Sequence, residues 1–181
     1  MNRTSFEYDS IDRRTKVKRH TGATTIDWVT AYDDTTNART ETDPLNKSTN
    51  YQHDALDRLR YVKWTENGSN HQTEYQYDAT DNRTKQLDAT GNQTSWEHDA
   101  MDRMTCETDA AGNVRRFAYD GVGNVVRRTD AEGRTTDYEL DDAGQEAARI
   151  YAIYAYDFAD KIETEYDANG NRKKACSALG E

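Results

Sequence analysis

Tyr77-Asp78-Ala79-Thr80-Asp81-Asn82-Arg83 and Tyr119-Asp120-Gly121-Val122-Gly123-Asn124 are the stretches whose reading decides the fold. In each, an aspartate follows an aromatic residue. Three positions later stands a residue that tolerates a left-handed backbone, and a polar side chain comes next. An aspartate in that place accepts a hydrogen bond from the amide two residues on and closes an Asx-type turn. The same spacing recurs at Asp88/Gly91, Asp99/Asp102, Asp109/Gly112, Asp130/Gly133 and Asp167/Gly170.

Taken as anchors, these aspartates extend to a series of thirteen: Asp9, Asp33, Asp43, Asp54, Asp78, Asp88, Asp99, Asp109, Asp120, Asp130, Asp141, Asp157 and Asp167. From Asp78 to Asp141 the steps alternate 10 and 11, so two turns make a 21-residue unit. The third residue after the anchor is Gly, Asp or Asn in twelve of the thirteen cases, Thr36 being the exception and Asp160 one of the twelve. The 24-residue steps before Asp33 and Asp78 equal one unit plus three residues, which predicts a degenerate anchor and a longer turn in each. A repeat at this period marks a tandem array.

Six or seven residues separate successive turns, a strand length and too short for a helix. Residues one and three before an anchor share a strand face, and they are aromatic or apolar: Tyr75 and Tyr77, Trp96 and His98, Phe117 and Tyr119, with Tyr138 in the same register. Phe6 and Tyr8, and Tyr51 and His53, follow the same rule. Counting back from the next anchor places Leu87, Met104 and Cys106 on this face, and Glu97, Glu107 and Arg116 on a solvated back. The expected fold is all-β, tandem antiparallel hairpins forming a curved or spiralling sheet over residues 1–174, with a tail at 175–181.

Composition agrees with a thin sheet rather than a single-core globule. Hydrophobic residues make up 34% and charged residues 32% of the 181, and the mean hydropathy is −1.18. So little apolar area offsets the chain entropy of a globule poorly. Twelve tyrosines and a single proline, Pro44, argue equally against a disordered linker. A formal net charge of −10 argues against nucleic acid as a partner. No apolar run reaches the length of a membrane span, and the first dozen residues lack a signal-peptide core.

The pattern resembles the RHS repeat, also called the YD repeat. The resemblance rests on the two stretches quoted above, on Leu87-Asp88-Ala89-Thr90-Gly91-Asn92, and on Tyr166-Asp167-Ala168-Asn169-Gly170-Asn171-Arg172. The block Asp54-Ala55-Leu56-Asp57-Arg58-Leu59 is similar to the family's Asp-Ala-Leu-Gly-Arg-Leu signature. The resemblance implies hairpins wound into a hollow shell. In bacteria such shells commonly enclose a C-terminal toxin, as in polymorphic toxins, type VI secretion effectors and insecticidal toxin complexes. The animal teneurins use a related shell in adhesion. The implied role is a non-catalytic panel of such a shell, part of a larger secreted or surface protein. The implied partners are a toxin domain or a further RHS-repeat chain, with self-association through bare sheet edges. The alternative is an adhesion or carbohydrate-recognition module on the same repeats.

Residues that invite chemistry have plainer readings. The Asp-rich turns offer oxygen ligands, but one carboxylate per Gly-containing turn favours capping over calcium. Cys106 and His98 stand on consecutive strands, where a nucleophile–base pair is conceivable, yet both fit repeat packing positions. Asp141-Asp142 is one acidic pair among thirty-four acidic residues. No catalytic residue, metal or cofactor is expected.

Overall fold

The computed structural model describes residues 2–141, 146–152, 159–166 and 171–177. The chain divides into two compact units at 93/94. Within each unit strand order follows chain order, each strand antiparallel to its neighbour. The first unit holds β1 (Asn2–Tyr8), β2 (Arg14–Thr21), β3 (Thr24–Asp33), β4 (Ala38–Thr42), β5 (Ser48–His53), β6 (Leu59–Glu66), β7 (Ser69–Tyr77) and β8 (Arg83–Leu87). The second holds β9 (Gln93–His98), β10 (Met104–Thr108), β11 (Val114–Tyr119), β12 (Val125–Thr129), β13 (Thr135–Leu140), β14 (Glu146–Ala152), β15 (Ala159–Tyr166) and β16 (Arg172–Ser177). There is no helix among the described residues. β16 continues through Ser177, across the 174/175 boundary placed from the sequence.

The anchor turns share one construction. At Asp99 the anchor amide donates to the Arg103 carbonyl at 2.9 Å, and the Asp102 amide donates to the Asp99 carbonyl at 3.1 Å. Asp102 has φ 60°. This is a three-residue hairpin loop, a β-turn followed by a left-handed residue. The anchor carboxylate then takes the two amides left over: Asp99 Oδ1 accepts from Met101 at 2.9 Å and from Arg103 at 3.1 Å. The same pair of amide bonds forms at Asp78, Asp88, Asp109, Asp120 and Asp130. Gly91, Gly112, Gly123 and Gly133 occupy the left-handed position, with φ between 80° and 100°. Asp167 and Gly170 lie outside the described residues.

Three sequence expectations change here. At the Asp33 turn the left-handed residue is Asn37 (φ 49°), not Thr36, because the loop carries one residue more before Asp33 pairs with Ala38. The 24-residue steps contain tight two-residue turns at Gly22-Ala23 and Asn67-Gly68, and their extra length goes into the strands, such as the ten residues of β3. Asn67 and Gly68 both have positive φ (51° and 78°), as a type I′ hairpin requires. Asp160, placed in a turn from the sequence, lies in β15 opposite Tyr151.

The faces differ from the simple alternation. Seven hairpins carry a one-residue bulge just after the turn, following Tyr8, His53, Tyr77, His98, Tyr119, Leu140 and Tyr166. The hairpins at the opposite ends of the strands, closed by Asp43, Asp109 and Asp130, keep an unbroken register. A bulged residue shifts everything beyond it to the other face. Met104, before the bulge, pairs with His98, but Cys106, beyond it, pairs with Glu97 and Arg116. Leu87 pairs with Glu74, and Glu107 with Trp96 and Arg115. Leu87 and Cys106 therefore stand on the face opposite the aromatics, and Glu107 stands among them.

Nor is that opposite face simply solvated. Among described residues only Cys106 (7% exposed) and Ala148 (3%) are buried apolar side chains, and both occupy it, Ala148 across from Glu139. Around Cys106 stand Glu97, Arg116, Ala118 and Arg127, whose longer side chains shield it along their stems. Tyr75, Tyr77, Trp96, His98, Phe117, Tyr119 and Tyr138 are each half-buried, alternating with exposed Gln76, Glu97, Ala118 and Glu139. The sheet is held by many partly covered pairs rather than by a core.

Candidate functional site: the linked turn edge and the aromatic face

The residue after the left-handed position does more than finish its own turn. Arg58 donates through Nε to Asp54 Oδ2 at 2.8 Å, fixing its direction. Its guanidinium then lies 4.9 Å from the centre of the Tyr77 ring. Its Nη1 reaches the next turn on the same edge, donating at 2.8 Å to the Asp78 carbonyl and at 2.8 Å to Asp81 Oδ1. The Tyr77 hydroxyl answers by donating to the Leu59 carbonyl at 2.9 Å. Planar guanidinium geometry suits one side chain to all these tasks.

The arrangement repeats. Arg13 bonds Asp9, lies 4.3 Å over Tyr32 and donates to Asp34, while the Tyr32 hydroxyl donates to the Arg14 carbonyl at 3.2 Å. Arg103 bonds Asp99, lies 4.6 Å over Tyr119 and donates to the Asp120 carbonyl at 2.8 Å, and the Tyr119 hydroxyl donates to the Met104 carbonyl at 2.7 Å. Asn37 performs the reach without the stack, donating to the Asp54 carbonyl and to Asp57 Oδ1. The tyrosine of the Tyr-Asp pair is thus a clamp between hairpins.

The two ends of the strands differ accordingly. On the linked edge the left-handed position is Asp12, Asn37, Asp57, Asp81, Asp102 or Gly123; on the other it is Asn46, Gly91, Gly112 or Gly133. A carboxylate there strains the backbone, but Asp57 and Asp81 use it to receive the preceding turn. On the glycine edge Asn92, Asn113 and Arg134 bond back to their own anchors, Asp88, Asp109 and Asp130. The sequence shows Asn, Arg or Lys after the left-handed position, but nothing local says that the side chain serves a neighbour.

Electrostatics follow from these bonds. The Arg58 and Arg103 guanidinium groups hold Asp54 and Asp99 below the usual carboxylate range. The Thr90 hydroxyl, then the Asn92 side chain and amide, pull Asp88 down to about 2. At Asp78 desolvation pushes the pKa up, and the bonds from Asn82 and Thr80 together outweigh it. The turn carboxylates are charged caps whose oxygens are already engaged. No group of three or more metal-ligating side chains occurs among the described residues. Cys106 and His98 lie on opposite faces, so no thiol–imidazole pair forms. Arg115 and Arg116 also split, Arg115 meeting Glu107 at 3.4 Å, and Arg127 binds Asp137.

The aromatic face of the first unit encloses a groove of about 850 Å³. Its walls run from Thr4 on β1 and Val17 on β2, past Trp28 on β3, to Thr49 on β5 and Trp64 on β6. Strands five apart in the sheet line one hollow, so this unit curls toward its aromatic face. Trp64 stacks on His71 across the β6–β7 pair, ring centres 5.4 Å apart, and Trp28 remains 40% exposed.

With this geometry in place, the RHS-repeat family profile matches residues 77–114 and 119–152. These two segments are RHS repeats. Each matched stretch opens on a clamp tyrosine, Tyr77 or Tyr119. No curated protein sequence matches the chain. Among solved structures it resembles the crystal structure of TcdB2-TccC3-Cdc42, with a TM-score of 0.79 and 14% identity over 93% of this chain and 9% of that one. TcdB2-TccC3 without its hypervariable C-terminal region gives the same figures. The Photorhabdus luminescens Tc holotoxin pore gives a TM-score of 0.68 and 13% identity over 98% of this chain and 10% of that one. These likenesses show the fold, and the chain spans about a tenth of the structures it matches. No helix among its described residues is long and apolar enough to cross a membrane.

Proposed function

We propose that this chain is a non-catalytic stretch of wall in an RHS-type shell, part of a secreted bacterial toxin or effector, and that it encloses or presents a toxin domain. The observation that carries the reading is the curl of the first unit toward its aromatic face, where β1 and β6 line one groove. A wall needs a sheet that bends one way and locks hairpin to hairpin, and the Arg–Tyr clamps supply the lock. The TcdB2-TccC3 likeness supports the same class of assembly. A type VI effector in interbacterial competition is one setting for it.

Co-expression with the polypeptide encoded next to it, followed by limited proteolysis, tests this reading. A wall shields that polypeptide until denaturant opens the sheet. A polypeptide digested at the same rate with and without this chain overturns the proposal. The exposed Trp28 indole favours a second reading, recognition of a glycan or surface protein in the groove. A glycan array without hits counts against it.

A further inference from the structure

The capping asparagines are tied down. Asn82, Asn92, Asn113 and Asn124 donate from the side chain to their own anchors, Asp78, Asp88, Asp109 and Asp120. Each is followed by a residue with a long or branched side chain: Arg83, Gln93, Val114 and Val125. Asn67 differs on every count. It stands with Gly68 in the exposed type I′ turn between β6 and β7. Its carboxamide has no hydrogen-bond partner among the described residues. The loop closes on Glu66 and Ser69, which leaves the Gly68 amide outside the ladder. A Cβ built at Gly68 would meet nothing within 4 Å, so no neighbour crowds that nitrogen. Asp120-Gly121 has the same following glycine, but the Val122 and Asn124 amides hold the Asp120 carboxylate. Asn169-Gly170 lies outside the described residues.

We propose that Asn67 is a site of spontaneous covalent modification, deamidation to aspartate and isoaspartate, that unlatches the β6–β7 hairpin. The Gly68 backbone nitrogen gives its proton to solvent base and attacks Asn67 Cγ. The N–Cγ bond forms, the Cγ–Nδ2 bond breaks, and the side-chain nitrogen leaves as ammonia. Water then opens the succinimide. Breaking the N–Cγ bond gives aspartate, and breaking the bond from that nitrogen to the Asn67 carbonyl carbon gives isoaspartate. Glycine suits this step because it brings no side chain against the ring. The turn is a solvent-facing hairpin end, where local opening supplies the conformations that ring closure requires.

Both products place a carboxylate beside Glu66. Isoaspartate also routes the chain through Cβ and Cγ, adding a backbone atom to a turn that needs positive φ at both central residues. Glu66 and Ser69 then no longer close in register, and the Trp64–His71 stack behind them loosens. Trp64 lines the groove of the first unit, so the modification reaches that surface.

The test incubates the full chain at mildly alkaline pH and maps its peptides by mass spectrometry, with isoaspartate read by an isoaspartate methyltransferase. Asn67 is expected to convert roughly ten-fold or more faster than Asn92 or Asn113. Unfolding in urea frees the caps and should narrow that ratio. Gly68→Ala should slow conversion of Asn67 by roughly ten-fold or more in the folded and the unfolded chain alike, which separates the chemistry from strain in the variant turn. In the purified isoaspartate form, amides at the turn end of β6 and β7 should exchange faster, with those of β1 and β2 unchanged. Asn67 remaining intact while a capping asparagine converts overturns the proposal. So does an isoaspartate form whose β6 and β7 amides exchange as slowly as before.

Discussion

The Arg58 guanidinium lies 4.9 Å over the Tyr77 ring, and the Tyr77 hydroxyl returns a 2.9 Å hydrogen bond to the Leu59 carbonyl next to that arginine. Eighteen residues separate Tyr77 from Leu59 in sequence, so this contact belongs to the array and not to any one hairpin. Tyr77→Phe keeps the ring and removes the returning bond. It is expected to cost about 0.5–1.5 kcal/mol, read from urea unfolding. An unchanged midpoint would show that the hydroxyl contributes nothing.

Arginines on the two edges should differ. Arg58 bonds its own anchor and the next turn, whereas among the described residues Arg134 bonds Asp130 and Glu132. Arg58→Ala is expected to lower the thermal midpoint by several degrees, and Arg134→Ala by roughly a degree or two. Arg58→Lys should recover only part of the loss, because an ammonium cannot serve Asp54, Tyr77 and Asp81 together. Equal effects at Arg58 and Arg134 would contradict the linked edge.

At Gly91 the backbone alone sets the penalty. Its φ is 88°, and an added Cβ would meet nothing within 4 Å. Gly91→Ala should therefore cost about 1–2 kcal/mol from left-handed strain without a clash. Gly91→Asn should recover much of it, since asparagine tolerates that region better.

Acid should loosen the array turn by turn. The anchors Asp9, Asp54, Asp88, Asp99, Asp109 and Asp120 all have pKa values depressed by folding. A depressed carboxylate contributes stability that is fully present above its unfolded value, 3.8, and lost as pH falls through the folded one, about 2 at Asp88. Thermal midpoints should hold steady from neutral pH to about pH 5 and then fall steeply toward pH 2. Asp88→Asn, which keeps the side-chain shape but not the charge, should flatten that dependence.

Thr105 is the bulged residue between Met104 and Cys106. Deleting it removes the bulge yet leaves Met104 opposite His98 and Cys106 opposite Glu97, so Cys106 keeps its face. In a Cys176→Ser background the native thiol, 7% exposed, should react slowly with a thiol reagent, and the deletion should react about as slowly. A far faster rate in the deletion would mean that the strand slips in register instead of losing its bulge.

The sequence by itself determined the hairpin array, because turn chemistry is local. An aspartate caps amides two and four residues on, and a Gly, Asp or Asn supplies the left-handed residue, all within one loop. The aromatic rows are likewise legible wherever they are counted back from a Tyr-Asp turn along an unbroken strand. Leu87 and Cys106 were not, since each lies beyond a bulge that adjacent residues do not announce. Only the tertiary structure decided which turn edge is linked, and what the tyrosine of each pair does. Those contacts join groups fifteen to twenty-three residues apart, and they exist only once neighbouring hairpins lie side by side in the sheet.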